Sequence, residues 1–292
     1  MPLSALALVL AAALLHALWN IVAKHSGGDQ RFAFIAAVQL SVIWAPLGLW
    51  MGWGVVTLWG WREWAAVLAS AIVHLLYFTT LLRGYRLADL TVVYPVARGT
   101  GPLLSATGAV LLLGERLSPL GMVGVAGVVA GVFLIAGGPA LWSQVHDPAQ
   151  RERVRRGIRY GALTGALIAG YTLIDGYAVM VLMVSPILVD WFGNLLRIPF
   201  LLPGALRDRA GLREAWRTQW KHALVVAVFG PIGYVLVLYA MRLAPLSHVA
   251  PAREVSMLFA ALIGGRLLGE RDRGLRVAGA LCIVAGVVSL AA

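Results

Sequence analysis

Three carboxylates and three guanidiniums stand inside otherwise apolar stretches of this chain: Asp175, Asp190, Glu254, Arg98, Arg197 and Arg253. An ionised group surrounded by hydrocarbon costs several kcal/mol unless it is paired or used. Arg98 lies three residues after Pro95 and Arg253 two residues after Pro251, so each sits where a proline loosens the helical hydrogen-bond ladder. Tyr94, Arg98, Gly101 and Ser105 share one helix face at steps of four, three and four. Arg98 on that face either anchors a ligand carboxylate, with Tyr94 meeting the apolar part, or locks onto Glu254. Glu254 in turn either meets Arg98 or carries a titrating proton, since adjacent helical residues such as Arg253 and Glu254 point about 100° apart.

The neutral rings form a second group. His74, Tyr77 and Phe78 follow one another closely, and Gly230-Pro231 with Gly233 and Tyr234 lies a fixed distance further on. Glycine and proline thin a helix and admit a ligand or a neighbouring backbone, so the aromatic residues either cage an organic solute or pack the core. His74 is read as a hydrogen-bonded core histidine or a proton relay. Asp175, near Tyr171 and Thr172, carries a coupling proton or ends its helix in water. Asp190, Asn194 and Arg197, spaced four and three, form a self-neutralised polar stripe with the amide bridging the two charges. No H-E-x-x-H, phosphate-binding loop or nucleophile elbow accompanies these groups, and the lone Cys282 has no zinc spacing, so no metal, cofactor or enzyme chemistry is expected.

The elements that position these groups must be membrane helices. Sixty per cent of the 292 residues are hydrophobic and 13% are charged, with a mean hydropathy of +0.83. A soluble chain is nearer half apolar and a quarter charged. The formal net charge of +11 falls in short segments between apolar runs, which suits loops near anionic lipid and not nucleic-acid binding, for which no basic-aromatic stripe exists. Apolar runs of bilayer length are expected near 3–23, 32–53, 64–82, 90–113, 118–137, 158–181, 185–203, 222–241, 247–268 and 274–291. Polar stretches at 139–157 and 204–221 read as loops. Met1-Pro2-Leu3 has no basic leader region, so the first run reads as a retained helix. The tryptophans from Trp50 to Trp64 read as an interfacial belt, and glycines such as Gly124, Gly131, Gly279 and Gly286 as close helix packing.

The chain is a tandem duplication. Arg86-Leu87-Ala88 recurs as Arg242-Leu243-Ala244, Pro95 to Arg98 as Pro251 to Arg253, Leu113-Gly114-Glu115-Arg116 as Leu268-Gly269-Glu270-Arg271, and Val129 to Val132 as Val284 to Val287. Five helices per unit put the two copies in opposite orientations, the inverted-repeat plan of secondary transporters with a site near the midplane. The expected division is 1–137 for the first unit, 138–157 for a basic connecting loop and 158–292 for the second. Of 24 Lys and Arg, seventeen lie in the odd-numbered loops and three, Arg62, Arg116 and Arg242, in the even-numbered ones. The odd loops are therefore expected in the cytoplasm and both termini outside.

With ten helices, a five-helix duplication and Leu-Gly-Glu-Arg opening helices 5 and 10, the chain resembles the drug/metabolite transporter superfamily, specifically its EamA-type members, over nearly its whole length. His16-Ala17-Leu18-Trp19-Asn20 is similar to that family's tryptophan-containing first helix. One departure is loop 2–3, basic in many relatives, which here holds only Arg62. The resemblance implies a multi-pass protein of the cell (inner) membrane with helices 1, 3, 4, 6, 8 and 9 around a central cavity and 5 and 10 at the periphery. It also implies export of amino acids or related small metabolites, as in bacterial aromatic amino acid exporters. Another drug or metabolite transporter of the same fold is the alternative, ahead of an intramembrane enzyme or a channel. On this reading Trp19, His74, Tyr77, Phe78, Tyr94, Arg98, Tyr171 and Tyr234 bind the small-molecule substrate, and Asp175, Arg253 and Glu254 couple or gate. The partners expected are that solute and membrane lipid.

Overall fold

A computed structural model describes residues 1–25, 30–88, 90–135, 148–259 and 273–292. These residues form ten helices: α1 Leu3–His25, α2 Gln30–Gly52, α3 Trp61–Leu87, α4 Leu90–Leu112, α5 Pro119–Ile135, α6 Pro148–Met180, α7 Pro186–Leu206, α8 Arg209–Leu243, α9 Leu246–Ala252 and α10 Arg273–Ala291. Five of them (α1, α2, α3, α6 and α8) are long and apolar enough to cross a bilayer over most of their length. α4 carries Arg98 along its length, and α7 carries Asp190 and Arg197. Large apolar side chains such as Leu49, Trp53, Leu111, Val123, Leu281 and Val288 point outward, as lipid-facing residues do.

The repeats are inverted, and one packing register shows it. Gly157, Gly161 and Gly165 recur every four residues on α6 and lie against Val92, Val96 and Thr100 of α4. The two numberings rise together, so α6 runs parallel to α4. A side-chain carbon on Gly165 would fall 1.9 Å from the Thr100 hydroxyl oxygen; only hydrogen fits there. α1 packs along α8 as α3 packs along α6, which is the same contact related by the pseudo-two-fold axis. At the periphery α5 meets α10 backbone to backbone. A Cβ on Gly124 would lie 2.8 Å from the Gly286 carbonyl oxygen, and one on Gly279 2.7 Å from that of Gly131.

The Leu113-Gly114-Glu115-Arg116 motif has a structural reason in its first copy. Gly114 takes φ +70°, the left-handed region. The Glu115 N–H then returns to the Ala109 carbonyl at 3.2 Å, closing the turn that ends α4. That turn aims the Glu115 carboxylate at the start of α9, where it accepts from the Leu246 N–H at 2.7 Å and the Ser247 N–H at 2.8 Å. The second copy, at 268–271, lies outside the described residues. Arg242, one of the three bases of the even loops, donates to the carbonyls of Val179, Met183 and Val184 and ties off the end of α6.

Two boundaries differ from expectation. The stretch 204–221 is not a loop: α8 starts at Arg209, N-capped by Asp208, whose side chain accepts from the Gly211 N–H at 2.9 Å. Its first turns are amphipathic, with Leu212 and Ala215 packed against Phe32, Ile35 and Ala36 of α2, so an apolar-run test passes over them. Similarly, α6 begins at Pro148, inside the segment expected to connect the repeats. The expected helix 247–268 is interrupted. After Ala252 the chain makes a turn at Arg253 and Glu254, with short bonds from Ser256 N to Arg253 O and from Met257 N to Glu254 O, and helix resumes over 255–259. Pro251 supplies no N–H, so the ladder is weakest here.

Candidate functional site

A cavity of about 530 Å³ lies between the repeats. It is lined from both halves: α1, α2, α3 and α4 on one side, and α6, α7, α8 and the break after α9 on the other. α2 and α7 therefore join the six helices expected around it, through Ala33, Ala37 and Leu40 and through Asp190, Asn194, Arg197 and Leu201. The lining reaches Ala23 near the end of α1 and Phe32 near the start of α2, and Leu201 of α7 and Val226 within α8. Outside the lining, Trp59 and Trp64 meet edge to face at 5.1 Å, and each packs on Phe192 at 5.5 Å.

One wall is aromatic. His74 stacks on Tyr171 with centroids 3.9 Å apart and 22° between planes, Tyr234 stands edge-on to His74 at 5.9 Å, and Tyr77 meets Tyr171 at 5.6 Å. His74 Nδ1 lies 3.0 Å from the Ser70 carbonyl oxygen one turn back. The Tyr234 hydroxyl donates to Asp175, which is fully buried within α6 and outside the cavity; the expectation that it could end its helix in water is set aside. Pro231, which lacks an N–H, leaves the Ala227 carbonyl without its helical donor, and Trp44 of α2 supplies one through its indole N–H at 3.1 Å.

The charged floor joins the repeats. Arg98 reaches Glu254 at 3.4 Å, and Arg253 approaches the other oxygen of the same carboxylate at 3.7 Å. Both guanidiniums line the cavity, while Glu254 lies behind them with a side chain 1% exposed. Tyr94 stands below Arg98, the guanidinium carbon 5.5 Å from its ring centroid, and does not line the cavity. Ser105 is fully buried and bonds the Gly101 carbonyl, and Gly101 packs on Ile168. The face running from Tyr94 to Ser105 is thus turned largely into the α4–α6 contact, with Arg98 alone reaching the cavity.

Of the remaining residues singled out in the sequence, Trp19, Phe78, Tyr77, Tyr171 and Tyr234 line the cavity. The buried indole N–H of Trp19 has no hydrogen-bond partner among the described residues. His16, Asn20, Asp190, Asn194, Arg197 and Ser256 also line it and were not in the expected binding set. The α7 residues were legible as one face. The bridging role given to Asn194 does not hold: its amide donates to the Ala37 carbonyl at 2.9 Å and the Ser41 hydroxyl at 2.8 Å, across to α2.

Ten helices in two inverted repeats around a cavity lined by both define a membrane transport protein of the drug/metabolite kind. The chain belongs to the EamA-like transporter family, whose model matches residues 3–137 and again 156–292. A solved crystal structure is similar over 99% of this chain and 96% of its own, with 17% identity and a TM-score of 0.72, a likeness of fold. No curated protein sequence matches the chain significantly.

Proposed function

We propose that this protein is a secondary transporter that exports amino acids or related small organic metabolites across the cell's inner membrane by alternating access. The observation that carries the reading is the make-up of the cavity: an arginine pair contributed by both repeats faces an aromatic wall, in a volume suited to a small organic molecule. Arg98 offers planar donors to a carboxylate. His74, Tyr77, Phe78, Tyr171, Tyr234 and Trp19 receive the apolar body. Arg253 and Glu254, at the interruption of the helix, form the gate, with Asp175 behind Tyr234 coupling it to the driving ion. The seventeen bases of the odd-numbered connections support a cytoplasmic position for that side of the bundle, the side from which an exporter loads.

The test is flux in proteoliposomes containing the purified chain and a panel of radiolabelled amino acids. Saturable flux of at least one, competed by its unlabelled form and lost in Arg98→Ala, supports the reading. Equal, non-saturating flux of all solutes would identify a channel, and absence of flux for every member removes the amino acid assignment.

A further inference from the structure

Asp190 is the only acid among the described lining residues, and it has no hydrogen bond or ion pair among the described residues. Arg197, of opposite sign, acts on it through space, but neither Arg197 nor Asn194 bonds to it. Arg197, two turns further along α7, turns its Nε to the Gly193 carbonyl at 3.1 Å, and Asn194 gives its amide to α2. The other charge facing it, Asp175 of α6, has the same sign. Arg98 and Arg253 are held by Glu254 at the floor. His74 and Tyr234, packed between α6 and α8, offer rings.

A carboxylate open to a cavity inside a low-dielectric bundle, with one arginine of its own helix acting through space and no direct partner, presents its oxygens to a cation that enters. A metal ion takes several oxygen or nitrogen ligands at once, and one carboxylate beside aromatic rings does not supply them. An ammonium suits it: the carboxylate takes the charge and the ring faces add cation–π attraction. We infer that Asp190 receives the ammonium group of the transported solute while Arg98 and Arg253 receive its carboxylate. The cavity then selects zwitterions whose apolar body lies along the His74–Tyr171 wall. This rests on the transport reading above and adds the residue that recognises the cationic end.

The experiment uses the purified full chain in detergent and three probes with one aromatic body: L-phenylalanine, 3-phenylpropanoate, which lacks the ammonium, and 2-phenylethylamine, which lacks the carboxylate. Calorimetry on the unmodified protein should rank L-phenylalanine at least about tenfold tighter than either fragment, the scale of one hydrogen bond to a charged group. Asp190→Asn should remove that advantage by weakening L-phenylalanine, while 3-phenylpropanoate binds no more weakly than before, and Asp190→Glu keeps the ranking. Arg98→Gln should do the converse, sparing 2-phenylethylamine. If 3-phenylpropanoate binds the unmodified protein as tightly as L-phenylalanine, the ammonium role of Asp190 falls and the carboxylate anchor stands. Because the probes differ on the unmodified protein, this result decides the matter even where Asp190→Asn fails to fold. If none of the three binds, the amphiphilic-solute reading falls and takes this inference with it.

Discussion

Arg98 of the first repeat and Glu254 of the second meet across the pseudo-two-fold axis at 3.4 Å, and Arg253 stands 3.7 Å from the same carboxylate. One buried negative charge thus holds two positive ones. Removing a partner from a buried pair costs about 3–5 kcal/mol, and the lower end applies because Arg98 is partly open to the cavity. Glu254→Gln should therefore lower the thermal midpoint in detergent. The reversed pair, Arg98→Glu with Glu254→Arg, should recover part of the loss seen in either single reversal. A double variant no better than the worse single one would show that the contact contributes nothing.

Trp44 and Ala227 give a second test. The Ala227 carbonyl lost its helical donor to Pro231 and takes the Trp44 indole N–H instead. Trp44→Phe keeps the ring but leaves a carbonyl inside the bundle unpaired, which costs about 1–3 kcal/mol. The expected result is a lower unfolding temperature for Trp44→Phe, and none when Pro231→Ala, which restores a backbone donor, is combined with it.

The α4–α6 contact is expected to tolerate nothing larger than glycine at residue 165. A Cβ there meets the Thr100 hydroxyl oxygen and, at 3.0 Å, the Gly101 backbone nitrogen. Gly165→Val should reduce the yield of folded, monodisperse protein, with overpacking of about 1–3 kcal/mol or more. Thr100→Ala should rescue Gly165→Ala better than Gly165→Val, because only the hydroxyl contact is relieved. Normal yield for Gly165→Val would refute the tight packing.

Orientation can be read with fusions. The Met1 ammonium donates to the Ala291 carbonyl at 2.8 Å, so both ends share one face, which the distribution of Lys and Arg predicts to lie outside. A C-terminal alkaline phosphatase should be active and a fluorescent protein dark. The opposite pair of signals would invert the topology.

How far these features could be read beforehand depended on how local their causes are. Arg98, Arg253 and the two Leu-Gly-Glu-Arg motifs mark the duplication because identical residues recur in order, and the inverted fold follows from an odd helix count. The first turns of α8 were hidden because a half-buried helix with Arg209, Arg213 and Arg217 on its outer side fails a test for continuous apolar runs. Asp190, Asn194 and Arg197 were legible as one face, yet their partners were not: Ala37 and Ser41 of α2 lie some 150 residues away in sequence. Spacing also placed Tyr94 and Arg98 together correctly, but it could not tell which part of that face meets the cavity and which meets Gly165 and Ile168 of α6.

The α5–α10 contact has a further meaning. Gly124 touches Gly286 while Gly131 touches Gly279, and in the duplication Gly279 is the counterpart of Gly124 and Gly286 that of Gly131. Patch and partner patch are thus the same surface used twice, which is the isologous geometry of a two-fold homodimer, here enclosed in one polypeptide. Such a surface recognises its own copy without help from a covalent link. Residues 1–137 and 148–292 expressed as separate chains should therefore find one another in the membrane and co-purify, with Gly131→Val abolishing the association. The connection between the halves then serves to fix their opposite orientations and equal numbers, and the glycines to fix how they fit.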